Sequence, residues 1–135
     1  MVLLSKDKSK ETAWHKAANR GHAEVLKKLW YWAKNVQLKP EELRNEVLLS
    51  KDKSKETAWH KAAERGDVEL LNKLWYWAKE LQLKPEVLRN EVLLSKDYYK
   101  ETAWHKATKR GHVDLLKEEC NWAKVPRLKP EELRN

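Results

Sequence analysis

Five histidines and one cysteine are the side chains of this 135-residue chain best suited to metal or acid–base chemistry. His15, His60 and His105 recur 45 residues apart, with His22 and His112 a turn further on, and imidazoles so placed could ligate a metal or carry a proton. Their pattern argues for a structural role. One such histidine per copy gives one ligand per layer, no His-Glu-x-x-His or Cys-x-x-Cys spacing occurs, and Asp67 replaces the second histidine in the middle copy. Cys120 stands where the other copies have Trp30 and Trp75, so nothing in the framework is built to aim a base at it. A lone cysteine also excludes an intrachain disulfide and a multi-cysteine metal site. The glycines Gly21, Gly66 and Gly111 are isolated, which excludes a phosphate-cradling loop. The chain therefore reads as a non-enzyme with no cofactor and no metal.

Aromatic and basic residues suggest binding instead. Trp14, Trp30 and Trp32 and their counterparts are expected to point into a packed interior, where truncating one would cost ~3–5 kcal/mol. Tyr31 and Tyr76 fall off the apolar arc, the first beside Lys27, Lys28 and Lys34, and either lie under a third helix or face a ligand. The Lys-rich segments at 6–10, 51–55 and 96–100 would align as a positive ridge. Such a ridge is either a solvated edge or a weak, salt-dependent contact for nucleic acid or another anionic surface, with no base-reading motif to sharpen it.

The elements that must position these residues follow from the repetition. Val-Leu-Leu-Ser-Lys-Asp begins at Val2, Val47 and Val92, so residues 1–46, 47–91 and 92–135 are three repeats of one domain. The first two differ only at Asn19/Glu64, His22/Asp67, Ala23/Val68, Val25/Leu70, Lys27/Asn72, Asn35/Glu80, Val36/Leu81 and Glu42/Val87, which suits recent duplication or deliberate design. Within a repeat, a short helix begins at the cap residue Thr12 and stops at Gly21. A second runs from about His22 to Val36, with Val25, Leu26, Leu29, Trp30, Trp32, Ala33 and Val36 on one core-facing arc. Pro40 suits the first position of a third, whose apolar side is Leu43, Val47 and Leu48. No period-two strand pattern appears.

Composition agrees with a folded chain. Lys plus Arg minus Asp plus Glu is 29 − 21 = +8, which favours acidic partners. With 41% apolar residues and eight tryptophans, the composition argues against wholesale disorder. No apolar run approaches the ~18 residues of a membrane span, and a cytoplasmic or otherwise intracellular location is expected.

The segment Glu11-Thr12-Ala13-Trp14-His15-Lys16-Ala17-Ala18-Asn19-Arg20-Gly21-His22-Ala23-Glu24-Val25-Leu26 resembles the ankyrin repeat, with its Thr-Pro-Leu-His start, Ala-Ala pair and Gly-His turn. The match returns at residues 57–71 and 102–116 and covers about half of each repeat. Ala13 stands for the family's Pro, Trp14 for its Leu and Lys10 for its usual Gly, and the Gly-Ala-Asp hairpin segment gives way to the third helix. The resemblance implies an all-α, ankyrin-like helical solenoid of about three helices per repeat, its β-hairpins replaced or reduced. It also implies that His15 bonds the capping Thr12 and neighbouring backbone.

Both ends of the chain cut through a third-helix unit, at Val2-Leu3-Leu4-Ser5 and Lys129 to Asn135, as expected of a piece of a longer array or a synthetic one. In the last copy Glu119, Cys120 and Asn121 replace Leu, Trp and Tyr, which reads as a solubilising terminal repeat, and Pro126 should end its long helix early. The expected function is a protein-binding scaffold. Positions that vary on the fixed framework are Lys8, Lys53 and Tyr98, then Ser9, Ser54 and Tyr99, in the loops, and Asn19, Glu64 and Lys109 near the first-helix ends. These resemble the family's contact positions on its concave face. The alternatives are an engineered or structural scaffold with no dedicated partner, and weak nonspecific binding of nucleic acid or anionic surfaces. A monomer, or weak end-to-end association opposed by Glu118 and Glu119, is expected.

Overall fold

A computed structural model describes residues 5–36, 38–114 and Lys117. All secondary structure among them is helical, with no strand. The expectations placed on Val2, Leu3 and Leu4, on Glu118 to Asn121, on Pro126 and on residues 129–135 lie outside the described residues.

Helix α1 (Ala13–Asn19) starts where Thr12 turns extended and its Oγ1 accepts the His15 N–H, a capping box whose other half is His15 itself. It ends against Gly21, whose φ of +70° reverses the chain into α2 (Ala23–Asn35). Pro40 then opens a third helical segment, α3 (Pro40–Glu42), which widens into a π-helical turn at Leu43–Leu48. The wider turn sets Leu43, Val47 and Leu48 together on its buried side. The second copy repeats this as α4 (Ala58–Arg65), α5 (Val68–Glu80) and α6 (Pro85–Val87), the last widening at Leu88–Leu93. In the third copy α7 (Ala103–Lys109) is described. None of these helices is long and apolar enough to cross a membrane.

Helix α1 pairs with α2 and α4 with α5, while α4 lies between α1 and α7. The π-helical turn at 43–48 rests on both α2 and α5. Where the two pairs meet, Trp14, Trp30 and Trp77 form a three-ring cluster with centroids 5.5–5.8 Å apart. Trp59 and Trp75 repeat the Trp14–Trp30 pair one copy later, at 6.0 Å. Aromatic pairs at these separations add to plain area burial.

The apolar arc expected on the second helix is buried along α5, with Leu81 just past its end half-buried, but it is buried only in part in α2. Leu26, Leu29, Trp30 and Ala33 are covered, whereas Val25, Trp32 and Val36 are exposed. The cause is position: Trp77 lies over the preceding helix pair and is 7% exposed, whereas Trp32, with no described pair on that side, is 58% exposed. Ala13 and Ala58 differ in the same way, exposed in α1 and buried in α4.

Candidate binding surface

The loops before the first helices are built alike. Asp7 Oδ1 accepts the N–H groups of Ser9 and Glu11, each at 2.9 Å, and its carbonyl accepts the N–H of Lys10. Asp52 and Asp97 repeat all three bonds. Closing this turn puts Lys10, Lys55 and Lys100 at φ of 59–63°, the left-handed region where a glycine would sit without strain. The loops then join edge to edge. The Lys53 N–H donates to the Ser9 carbonyl at 2.7 Å, and the Tyr98 N–H to the Ser54 carbonyl at 2.8 Å.

Beneath this row the histidines lock the loops to the helices. Thr12 N–H donates to His15 Nδ1 at 3.1 Å, so Nδ1 is unprotonated and Nε2 carries the proton given to the Ser50 carbonyl at 2.7 Å. His60 repeats the arrangement, with Nε2 donating to the Ser95 and Glu101 carbonyls. Burial pushes both imidazoles below their ordinary pKa of 6.5, so they are neutral and fully engaged. These are the bonds to the capping Thr and to neighbouring backbone that the ankyrin resemblance implied for His15.

A buried ion ladder, which sequence reading missed, runs alongside. Lys61 Nζ lies 2.9 Å from Asp52, 3.2 Å from Glu11 of the preceding copy and 3.3 Å from Glu56. Lys106 reaches Glu56 at 2.7 Å, Asp97 at 3.1 Å and Glu101 at 3.6 Å. Burial alone would lower both lysines, but hydrogen bonds to Asp52 and to Glu56 and Asp97 outweigh it and raise them. Burial would likewise raise Asp52, yet the Lys61 hydrogen bond holds it below the usual carboxylate range. The signal available was a lysine repeated beside each Trp-His pair, at Lys16, Lys61 and Lys106.

The ladder sorts the charges of the ridge. Asp7, Glu11, Asp52, Glu56, Asp97 and Glu101 all pair with lysines of the first helices. Lys6, Lys8, Lys10, Lys51, Lys53, Lys55, Lys96 and Lys100 are exposed, and none forms an ion pair with a described acid. What faces outward from the loops is therefore basic.

The predicted contact residues fall into two rows. Lys8, Ser9, Lys53, Ser54, Tyr98 and Tyr99 share the loop edge, all exposed. Tyr98 and Tyr99, 66% and 75% exposed, meet edge to face at 5.5 Å. Asn19, Glu64 and Lys109 sit at the far ends of the first helices, about 10 Å along the axis at 1.5 Å per residue. There Glu64 is half-buried and bonded to Arg110 at 2.8 Å, Lys109 pairs with Glu101, and the Asn19 carbonyl accepts from Arg65. Tyr31 and Tyr76 are exposed on the second helices, so a place beneath the third helix is ruled out. Tyr76 instead edges a groove of about 620 Å³ with Lys27, Val68, Asn72, Lys73 and Trp77. Among known protein families and curated proteins, none matches the chain.

Proposed function

We propose that the chain is an ankyrin-like helical-repeat solenoid that binds a protein partner along its loop edge, without catalysis. The observation that carries this reading is the pair of loop-to-loop bonds, Lys53 N–H to Ser9 and Tyr98 N–H to Ser54. They tie the backbone into a fixed row while the outward side chains change from Lys-Ser to Lys-Ser to Tyr-Tyr. A rigid row with variable tips gives contact area at little ordering cost. Rigid, exposed tyrosines are the side chains most often found at energetic hot spots. The surplus of unpaired lysines on the same edge favours an acidic partner surface.

The near-identity of the first two copies favours a second reading, a structural or engineered scaffold with no partner of its own. An unbiased capture experiment separates the two. The native chain is compared with a variant in which Lys8, Ser9, Lys53, Ser54, Tyr98 and Tyr99 are scrambled among themselves. Proteins retained by the native chain and lost by the variant support the loop edge, and identical recovery by both contradicts it.

A further inference from the structure

We infer that the open face of α1 and α2 docks the α7 face of a second copy of this chain, in a head-to-tail contact. The contact copies one already present inside the molecule. Where α4 and α5 lie on α1 and α2, the Trp77 ring sits 5.5 Å from Trp14, Lys61 reaches back to Glu11, and the Lys53 N–H meets the Ser9 carbonyl. The same three donors stand one copy earlier on the open face, as exposed Trp32, Lys16 and Lys8. Their acceptors stand two copies later on α7 and its loop, as Trp104, Glu101 and the Tyr99 carbonyl. Among the described residues Lys16 pairs with its own Asp7, as Lys61 does with Asp52, but has no counterpart of the Glu11 that Lys61 takes from the preceding copy, a place left to be filled from outside. Trp104, half-buried where Trp14 is covered, borders a cavity of about 320 Å³ with Glu101, His105, Thr108 and Lys109.

One substitution weakens the copied contact. Arg110 meets Glu64 at the internal junction, but Arg20 would meet Lys109 at the new one, a like-charge pair. Association is therefore weak and, being heterologous and unclosed, adds copies in open chains. At the loop edge it uses only the backbone N–H of Lys8 and the carbonyl of Tyr99, and it does not depend on the proposed protein-binding role.

Sedimentation of the native chain from micromolar to millimolar concentration, beside Lys109→Glu and Trp32→Lys, tests this. Both substituted residues are exposed, and circular dichroism verifies that the fold is kept. The native chain should show an average mass that rises with concentration without stopping at a dimer. Lys109→Glu, which restores the Arg–Glu pair, should shift that rise to about five- to tenfold lower concentration, with the gain lost at high salt. Trp32→Lys should stay monomeric alone and cap chains of Lys109→Glu when mixed with it. An unmoved mass curve for Lys109→Glu overturns the proposal, as does a closed dimer that depends on Trp32 alone, or a monomeric Lys109→Glu variant at millimolar concentration.

Discussion

Trp77 of α5 stacks on Trp30 of α2 with centroids 5.6 Å apart and ring planes 18° from parallel, an aromatic contact that joins two successive copies. The identical local sequence one copy earlier places Trp32 in the open. Trp77→Ala should therefore lower unfolding free energy by ~3–5 kcal/mol, and Trp32→Ala by less than ~1 kcal/mol. Denaturant midpoints of the two variants check this, and equal losses would show that the two positions are equally packed.

Trp59 and Trp104 give a parallel comparison on the first helices, since Trp59 is buried between neighbours and Trp104 is only half-covered. Trp59→Ala should depress the melting temperature more than Trp104→Ala, because a middle layer loses contacts on both sides. Equal shifts would contradict it.

Lys61 is surrounded by Glu11, Asp52 and Glu56 with its own side chain almost wholly covered. Removing its charge leaves Glu11 and Asp52 without their lysine while Glu56 keeps Lys106, so Lys61→Met should destabilise by about 3 kcal/mol or more. Lys8→Met, an exposed loop lysine, should change stability by less than ~0.5 kcal/mol. Similar midpoints for the two would argue against a working ion ladder.

Burial holds His60 neutral in the folded chain, with its pKa below 6.5, while the unfolded chain takes up a proton near 6.5. The unfolded state thus binds more protons below that pH, and stability falls as the solution is acidified. His15 acts in the same sense. The depressed Asp52 and Asp97 add stability that is present above their ordinary value of 3.8 and is lost only at still lower pH. His60→Gln should be less stable than the native chain at neutral pH yet show a shallower decline between about pH 7 and 5. A slope unchanged by the substitution would remove His60 as its source.

Lys55 occupies the left-handed region at φ 60° with its side chain exposed. Such a conformation costs a non-glycine residue ~1–2 kcal/mol, partly offset by the extra unfolded-state freedom of glycine. Lys55→Gly should raise unfolding free energy by up to ~1 kcal/mol, read from chemical denaturation, and a loss of stability would contradict the strain.

Much of the fold was legible because it is written locally. Thr12 and Gly21 start and stop α1, Pro40 opens the third segment, and the apolar spacing marks the long helices. What stayed hidden depends on neighbours. Nothing local separates Trp32 from Trp77, since both lie in Leu-Trp-Tyr-Trp-Ala-Lys and differ only in whether a helix pair lies beneath. The π-helical turn at Leu43–Leu48 carries no pattern distinct from an ordinary amphipathic helix. On the candidate surface, the varying loop positions were visible as differences between copies. The fate of the interspersed acids was not, because Glu11 and Glu56 find their lysines 50 residues away, at Lys61 and Lys106.

The loop edge is tested most directly by the affinity of a captured partner for the native chain and for the double variant Tyr98→Lys, Tyr99→Ser, which gives the third loop the side chains of the other two. Both tyrosines are mostly exposed, so the melting temperature should be nearly unchanged while binding weakens by at least ~1–2 kcal/mol, about five- to thirtyfold. Equal affinity for the two proteins, or a loss accounted for by destabilisation, would contradict it.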